Sequence, residues 1–504
     1  MANGLRGALM VCGTTSNAGK TTLVTGLARV LARRGVRVAP FKAQNMALNS
    51  VVTLAGHEIG RAQGVQAVAA GVEPEAAMNP ILLKPTGERT SQVVVMGRPH
   101  AVMTATEYHA HKPELLPLVL DALADLRSRF DVVLCEGAGS PAEINLLDHD
   151  IVNLRIAHDS GMPAIVVGDI DLGGVFASLY GTVALLPEHY RALVRGFVIN
   201  KLRGDPALLL DGCAQLRDRT GLPTFGVLPW IDGVGIDAED SLALREPVGA
   251  TPGGAPLGDA LDVAVVRFPR ISNFTDLDPL AAEPGVTVRF VGDAAALGTP
   301  DLVVLPGTKA TVADLAWLRE RGLADAIRRT DATVLGVCGG YQMLGEAIHD
   351  DVESDAGAVA GLGLLPVSTT FAPEKVTRRV SGTALRHPVA GYRIHHGRVV
   401  PEGGDAFVDV DGQVDGVAVG TVYGTTVHGL LETDGFRAAF LGAVAARAGK
   451  RFVAGTTPFA AVREARIDRL ADVLEAHLDL DAVTSLVAEA AHTAPSSAPA
   501  GKRS

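Results

Sequence analysis

Short β-branched apolar runs alternate with longer segments of helical period along the first half of the chain. The run GALMVCG (7–13) predicts a strand, KTTLVTGLARVLARRG (20–35) an amphipathic helix ending at Gly35, and VRVAPFK (36–42) the next strand. The pattern continues through FDVVLCEGAG (130–139), PAIVVGDID (163–171), RGFVINK (195–201) and TFGVLPW (224–230). Strands separated by helical lengths need crossover connections, so βαβ units and a mostly parallel sheet are expected. Across EPVGATPGGAPLGD (246–259) periodicity gives way to glycine and proline, the composition of a linker. A second series then begins: LDVAVVRF (261–268), VTVRFVG (286–292), DLVVLPG (301–307), TVLGVCGG (333–340) and AGYRIHHG (390–397). Residues 456–490 read as helical closing segments and 491–504, poor in bulky apolar groups, as a disordered tail. The expectation is two doubly wound α/β domains, 1–245 and 261–455, joined by a linker at 246–260.

Composition narrows the classes of function. At 504 residues the chain exceeds a single core. A net charge of −11 argues against nonspecific nucleic-acid binding, while a local pocket can still oppose the global sign and take an anionic small molecule. The start MANGLRGALMVCG has no small-residue cleavage pattern, and apolar runs are short and interrupted, so neither a signal peptide nor a membrane span is expected. Cys12, Cys135, Cys213 and Cys338 are scattered without metal-ligand spacing, which fits reduced thiols in a cytoplasm. Oligomeric state is left open.

GTTSNAGKT, from Gly13 to Thr21, falls between a predicted strand and a predicted helix. Backbone N–H groups converge there on an anion, so Gly13, Thr14, Asn17, Gly19, Lys20, Thr21 and Thr22 form the expected ATP-binding set. Lys20 would reach the β- and γ-phosphates and the Thr21 hydroxyl would ligate Mg²⁺. Five residues, not the usual four, separate Gly13 from Gly19. The longer loop resembles that of dethiobiotin synthetase and its relatives, which activate carboxylates with ATP. A second metal ligand is then expected, and Glu136 ends an apolar strand where a doubly wound sheet presents ligands. Glu58 in GHEIGRAQ is a weaker candidate, against a solvated glutamate at a helix start. Lys42 would pair with the γ-phosphate or the acyl group, or else be an exposed lysine at a strand edge. Asp169 and Asp171 would hold metal or orient substrate, or start a turn. Asn200 would read adenine, or shape a turn.

GVCGG (336–340) has the form glycine–x–nucleophile–x–glycine. Flanking glycines permit a tight strand-to-helix bend that exposes the thiol of Cys338 in a cleft, and the N–H of Gly339 can steady an oxyanion. The alternative is a structural cysteine whose bend serves packing. VLPGTKAT (304–311) can supply the second oxyanion donor from Gly307 or Thr308, and GTTVHGLLE (424–432) offers His428 as general base. Cysteine acyl-transfer chemistry follows. His395 and His396 are read as belonging to a solvated loop.

The order of these segments resembles a class I, triad-type glutamine amidotransferase domain behind a dethiobiotin-synthetase-like P-loop ATPase, and within that group the cobyric acid synthase (CobQ) family. The resemblance runs from the P-loop to about residue 445 through PFKAQNMALNS, NPILLKPTGERTSQVVVMG, EGAGSPAEINL, GDIDLGGVFASLYGT, RFPRISNFTDLDPL, LGVCGGYQMLG and YRIHHG. It implies glutamine hydrolysis through a thioester on Cys338, with His428 as base and acid. It further implies ATP- and Mg²⁺-dependent phosphorylation of a corrin carboxylate, then attack by ammonia. The family acts on the b, d, e and g side chains of adenosylcobyrinic acid a,c-diamide and gives adenosylcobyric acid, a cobalamin intermediate. Many class I amidotransferases carry a glutamate two residues beyond the catalytic histidine; here that position is Leu430, with Glu432 two further on. Cobyrinic acid a,c-diamide synthase is the nearest competing reading, disfavoured by KAQNMALNS. A MinD/ParA-like switch ATPase is another, but Thr14 and Thr15 stand where its additional lysine would be, and it gives Cys338 no role.

Overall fold

The computed structural model describes residues 4–87, 89–231, 248–249 and 260–490. The tail expected at 491–504 and most of the linker expected at 246–260 lie outside them.

The first half builds a six-stranded sheet in the order Thr224–Pro229, Val194–Leu202, Ala164–Asp169, Gly7–Gly13, Val132–Glu136, Val38–Phe41, with every neighbour parallel. Strand Gly7–Gly13 is apolar at nearly every position because helices cover both faces of a parallel sheet. It sits between strands that come later in the chain. Its carboxyl end, the start of the phosphate loop, therefore opens beside Glu136 and Asp169, at the point where connections diverge. Helix Lys20–Arg33 follows and buries Leu23, Val24, Leu27 and Leu31 against the sheet.

Between Phe41 and the next parallel strand lies an insertion the apolar pattern does not announce. It forms a four-stranded sheet (Gln44–Met46, Ile81–Pro85, Thr90–Val95, Arg98–Thr104) and a small hairpin, Ser50–Val52 with Glu58–Gly60. The hairpin's strands are too short to show an alternation; they pair with each other and contact the other domain.

The second half has a parallel centre, ordered Val286–Val291, Leu261–Val266, Leu302–Leu305, Thr333–Val337, Val422–Thr425. The sheet then turns antiparallel through Gln413–Val419 and Asp405–Val410 to a long hairpin, Val367–Ala384 with His387–Pro401. His395 and His396 lie on that hairpin and are buried, not in a solvated loop, because the strand passes under the nucleophile's cleft.

The closing helices, Phe459–His477 and Leu480–Glu489, leave the second domain and pack on the first. Ile467, Leu474 and Leu486 join Leu23 and Leu27 in one apolar cluster. Burial of each such side chain contributes about 1.5–3 kcal/mol. Gly26 permits the approach, since a Cβ there would meet Leu474 Cδ1 at 2.4 Å. Arg33 adds bonds to Asp468 and Asp472 at 2.8 and 2.6 Å, at an exposed rim where such pairs are worth little.

Candidate functional site

The phosphate loop is held in shape before any ligand is considered. Gly19 has φ 103°, in the left-handed region, and a Cβ there would lie 1.9 Å from Asn200 Nδ2. Asn200 donates instead to the carbonyl of Ala18 at 3.0 Å, so the side chain expected to read adenine also braces the loop. Asn17, at φ 61°, is fixed through its carbonyl, which accepts from Lys201 Nζ at 2.7 Å. The Thr14 amide donates to Val167 O at 2.9 Å, and Gly13 passes beneath Lys20, which reaches the carbonyls of Thr15 and Gly139. Thr22, Asn200, Pro229 and Trp230 line a cavity of about 130 Å³ beside the loop.

Glu136 gathers the other groups expected around a nucleotide's metal. Thr21 Oγ1 donates to Glu136 Oε1 at 2.8 Å, Lys42 Nζ donates to the same oxygen at 2.9 Å, and Gln66 Nε2 donates to Oε2 at 2.5 Å. Burial alone would raise this carboxyl's pKa; the Lys42 ammonium overrides it and holds the pKa below the ordinary value. Lys42 is buried here rather than exposed at an edge. A hydroxyl and a carboxylate in contact are the hard oxygen donors Mg²⁺ takes when phosphates and water complete its shell, so these residues fit that ion.

Glu58 is placed otherwise, while Asp169, which accepts the Asp171 amide at 2.9 Å, starts a turn. Glu58, a candidate metal ligand, does not join Thr21 and Glu136. It is buried on the hairpin strand Glu58–Gly60, where Lys84 and Lys375 take its two oxygens. Burial would raise its pKa, but the two ammonium groups keep it well below the carboxylate range. Asp169 pairs with Lys201 at 2.6 Å and Asp171 with Arg203 at 2.9 Å, so both brace the loop after their strand.

In the second domain Cys338 caps the end of strand Thr333–Val337 with φ 52° and ψ −109°, a strained bend for a residue with a Cβ. Its amide donates to Thr425 O at 2.8 Å, tying the bend to the strand that leads to His428. The neighbouring glycines are required. A Cβ on Gly340 would meet Leu305 O at 1.9 Å, and one on Gly339 would meet Thr308 Cγ2 at 2.7 Å and Thr308 N at 3.1 Å. The segments of Gly339 and Thr308 thus pack closely beside Cys338. Gly307 lies close by: a Cβ there would meet His428 Cε1 at 2.9 Å, and its carbonyl accepts from Ser272 N.

His428 is fully buried and faces the Cys338 thiol. Its Nδ1 lies 2.7 Å from Asp276 Oδ2, while Asp276 Oδ1 accepts the Gly429 amide at 2.9 Å. The Tyr392 ring stacks on the imidazole at 5.4 Å between centroids. Burial lowers the tendency to protonate, but Asp276 and then Cys338 reverse it, and the pKa is raised to about 10. The orienting carboxylate, missing at position 430, is supplied by Asp276 from 152 residues upstream. Glu432 does not orient the histidine; it pairs with Arg61 and Arg463 at 3.0 and 2.9 Å. Nothing in the local pattern marked Asp276; the segment RFPRISNFTDLDPL had carried only a resemblance.

The pockets of the two halves share one short segment. Ile271 and Phe274 line a cavity of about 500 Å³ together with Lys20, Lys42, Met46 and Lys112. Ser272 and Asn273, between them in sequence, line the pocket of Cys338 and His428. Asn273 Oδ1 accepts the Ser50 amide at 2.9 Å, and the Tyr392 hydroxyl donates to Ser50 O at 3.1 Å, so the ring stacked on His428 touches the first domain.

Fold and geometry together define a P-loop synthetase joined to a triad-type glutamine amidotransferase. Comparison with known proteins agrees. Residues 9–243 match the CobQ/CobB/MinD/ParA nucleotide binding domain, and residues 262–436 the CobB/CobQ-like glutamine amidotransferase domain. The chain is 57% identical over 491 residues to the cobyric acid synthase of Streptomyces avermitilis, covering 96% of this chain and 97% of that one. It is 57% identical to that of Streptomyces coelicolor, with coverage of 96% and 97%. For the cobyric acid synthase of Mycolicibacterium paratuberculosis the identity is 55%, with coverage of 96% and 97%. The chain belongs to the cobyric acid synthase family.

Proposed function

We propose that this protein amidates the b, d, e and g carboxylates of adenosylcobyrinic acid a,c-diamide, with ATP, Mg²⁺ and glutamine, to give adenosylcobyric acid. The observation that carries this reading is the pair of constellations, Thr21–Glu136–Lys42 and Cys338–His428–Asp276, opening on opposite sides of Ile271–Phe274.

In the second domain His428, held protonated by Asp276, stabilises the Cys338 thiolate. The thiolate attacks the glutamine amide carbonyl, and the N–H groups of Gly339 and Thr308 steady the oxyanion. His428 then gives its proton to the departing nitrogen, which leaves as neutral ammonia, and the acyl group stays on sulfur as a thioester. A water molecule, deprotonated by His428, releases glutamate.

In the first domain Lys20 and the loop amides would hold the phosphates, with Thr21 and Glu136 as the Mg²⁺ ligands; the ion supplies charge neutralisation on the phosphoryl oxygens. Asn200, which lines the cavity with Thr22 and Trp230, would contact adenine. Lys42, which lines the large cavity with Lys20, would pair with the γ-phosphate or the acyl group. Phosphorylation is needed because oxide is not a viable leaving group, whereas phosphate is. Ammonia made behind the Ile271–Phe274 partition reaches the acyl phosphate unprotonated, while ammonia in bulk water at neutral pH is mostly ammonium. The 500 Å³ cavity, with Met46, Ile271, Phe274 and Lys112 on its walls, has the mixed lining an apolar macrocycle with acidic arms requires.

No helix among the described residues is long and apolar enough to cross a membrane. The four cysteines are unbridged, in keeping with a cytoplasmic enzyme. Omitting glutamine, ATP or corrin in turn tests the function. Amidated product, followed by mass, requires all three, with ammonia able to replace glutamine alone; amidation of the a and c carboxylates of cobyrinic acid would favour the diamide synthase instead.

A further inference from the structure

The pocket beside Cys338 is walled by both domains. The second domain contributes Thr308, Gln342, Lys375, His395, His396 and His428, but Lys84 comes from the first. Lys84 lies on strand Ile81–Pro85 and is buried, with one bond to Ser50 Oγ at 3.0 Å and another to Glu58. Lys375, on the long hairpin, takes the other oxygen of Glu58. Two ammonium groups therefore share one carboxylate at the pocket wall, an excess of one positive charge in a place shielded from water. A further pair there, Lys309 with Glu353, is balanced. Burying such an excess is costly unless an anion completes it.

The opposite demand is met by two imidazoles. His395 Nδ1 lies 2.6 Å from Gly397 O and His396 Nδ1 3.0 Å from Ala372 O, so each Nδ1 carries the proton and each Nε2 is left as an acceptor. Both Nε2 atoms are buried without a partner, and both residues line the pocket. Burial pushes the pKa of His395 down to about 4 and that of His396 downward, so the rings stay neutral.

An anion seat and two acceptors around one thiol are the complement of an amino-acid head group. We infer that Lys84 of the synthetase domain, with Lys375, binds the α-carboxylate of glutamine while His395 and His396 accept from its α-ammonium. The glutamine site is thus a two-domain site, complete only when the hairpin Ser50–Gly60 and its neighbouring strand are docked. This rests on the reading of Cys338 as the nucleophile.

The test uses the full chain and compares glutamine with 4-aminobutanamide, which lacks only the α-carboxylate, and with glutaramate, which lacks only the α-amino group. In Lys84→Met the KM for glutamine rises about tenfold or more, while kcat/KM for 4-aminobutanamide stays within about twofold of wild type. The penalty for glutaramate against glutamine shrinks in His395→Phe, not in Lys84→Met. Lys375→Met, changed from the other domain, repeats the Lys84 pattern and guards against a variant that merely misfolds. The inference is overturned if Lys84→Met and Lys375→Met lower glutamine and 4-aminobutanamide equally, or affect neither. Alkylation of Cys338 by iodoacetamide, which has no head group, separates the two readings. If Cys338→Ala still hydrolyses glutamine, the nucleophile assignment has failed; if only the discrimination is unmoved, the head-group assignment has.

Discussion

Replacing Asp276 by asparagine probes the one triad member that local sequence did not mark. In wild type Asp276 accepts from both His428 Nδ1, at 2.7 Å, and Gly429 N, at 2.9 Å. Asparagine has a single acceptor oxygen, so one of these donors is left unsatisfied or His428 is driven to the wrong tautomer. The charge-assisted bond is worth about 1.5–3 kcal/mol, which alone corresponds to roughly 10- to 150-fold in rate. Misplacement of the base adds to this, within the ~10²–10⁴ a general base supplies. The expected loss in glutamine-driven amidation is therefore about 100- to 1,000-fold. The assay runs glutamine and ammonia as nitrogen donors in parallel on the same preparation. Ammonia-driven amidation should remain near wild type, because Asp276 lies on the thiol's side of the Ile271–Phe274 partition. A glutamine-driven rate within about threefold of wild type, or an equal fall with both donors, would refute the assignment of Asp276.

The same pair sets a pH dependence. The pKa of His428 is raised from 6.5 to about 10, so its pairing with Asp276 stabilises the fold fully below pH 6.5 and is lost as pH rises through about 10. The Tm difference between wild type and Asp276→Asn is accordingly larger at about pH 6 than above about pH 10, as calorimetry would read. Glu136→Gln removes the buried carboxylate that Thr21, Lys42 and Gln66 share; a stability loss of about 3–5 kcal/mol and loss of ATP-driven turnover are expected, with iodoacetamide alkylation of Cys338 unchanged in rate. Gly19→Ala forces a Cβ into Asn200 at a left-handed position, at a cost of about 1–3 kcal/mol, and should raise the KM for ATP without moving glutamine hydrolysis.

What the sequence revealed follows from how locally each feature is encoded. Strand Gly7–Gly13, helix Lys20–Arg33 and the parallel strands of both domains are continuous apolar or amphipathic runs, and they occur close to where periodicity places them. The phosphate loop and the Cys338 bend are legible because backbone geometry demands glycine at fixed offsets. Asp276 is different in kind. It is one carboxylate in an irregular segment, and only the tertiary fold brings it to His428. His395 and His396 were misplaced for a similar reason: two histidines before a glycine read as a loop, but the hairpin pairs Val376 with His395 and carries them inward. Glu58 looked like a metal ligand because its neighbours gave no sign of Lys375, 317 residues away, as its partner. The destination of the closing helices was equally hidden, since amphipathicity says that a face must be covered and not by which domain.

The central claim is the division of labour between a thiol that makes ammonia and a nucleotide site that activates the acid. Cys338→Ala, given adenosylcobyrinic acid a,c-diamide with ATP and either glutamine or ammonia, tests it most directly by product mass. The account predicts that glutamine no longer supports amidation while ammonia supports it at the wild-type rate. Equal loss with both donors, or undiminished use of glutamine, would contradict it.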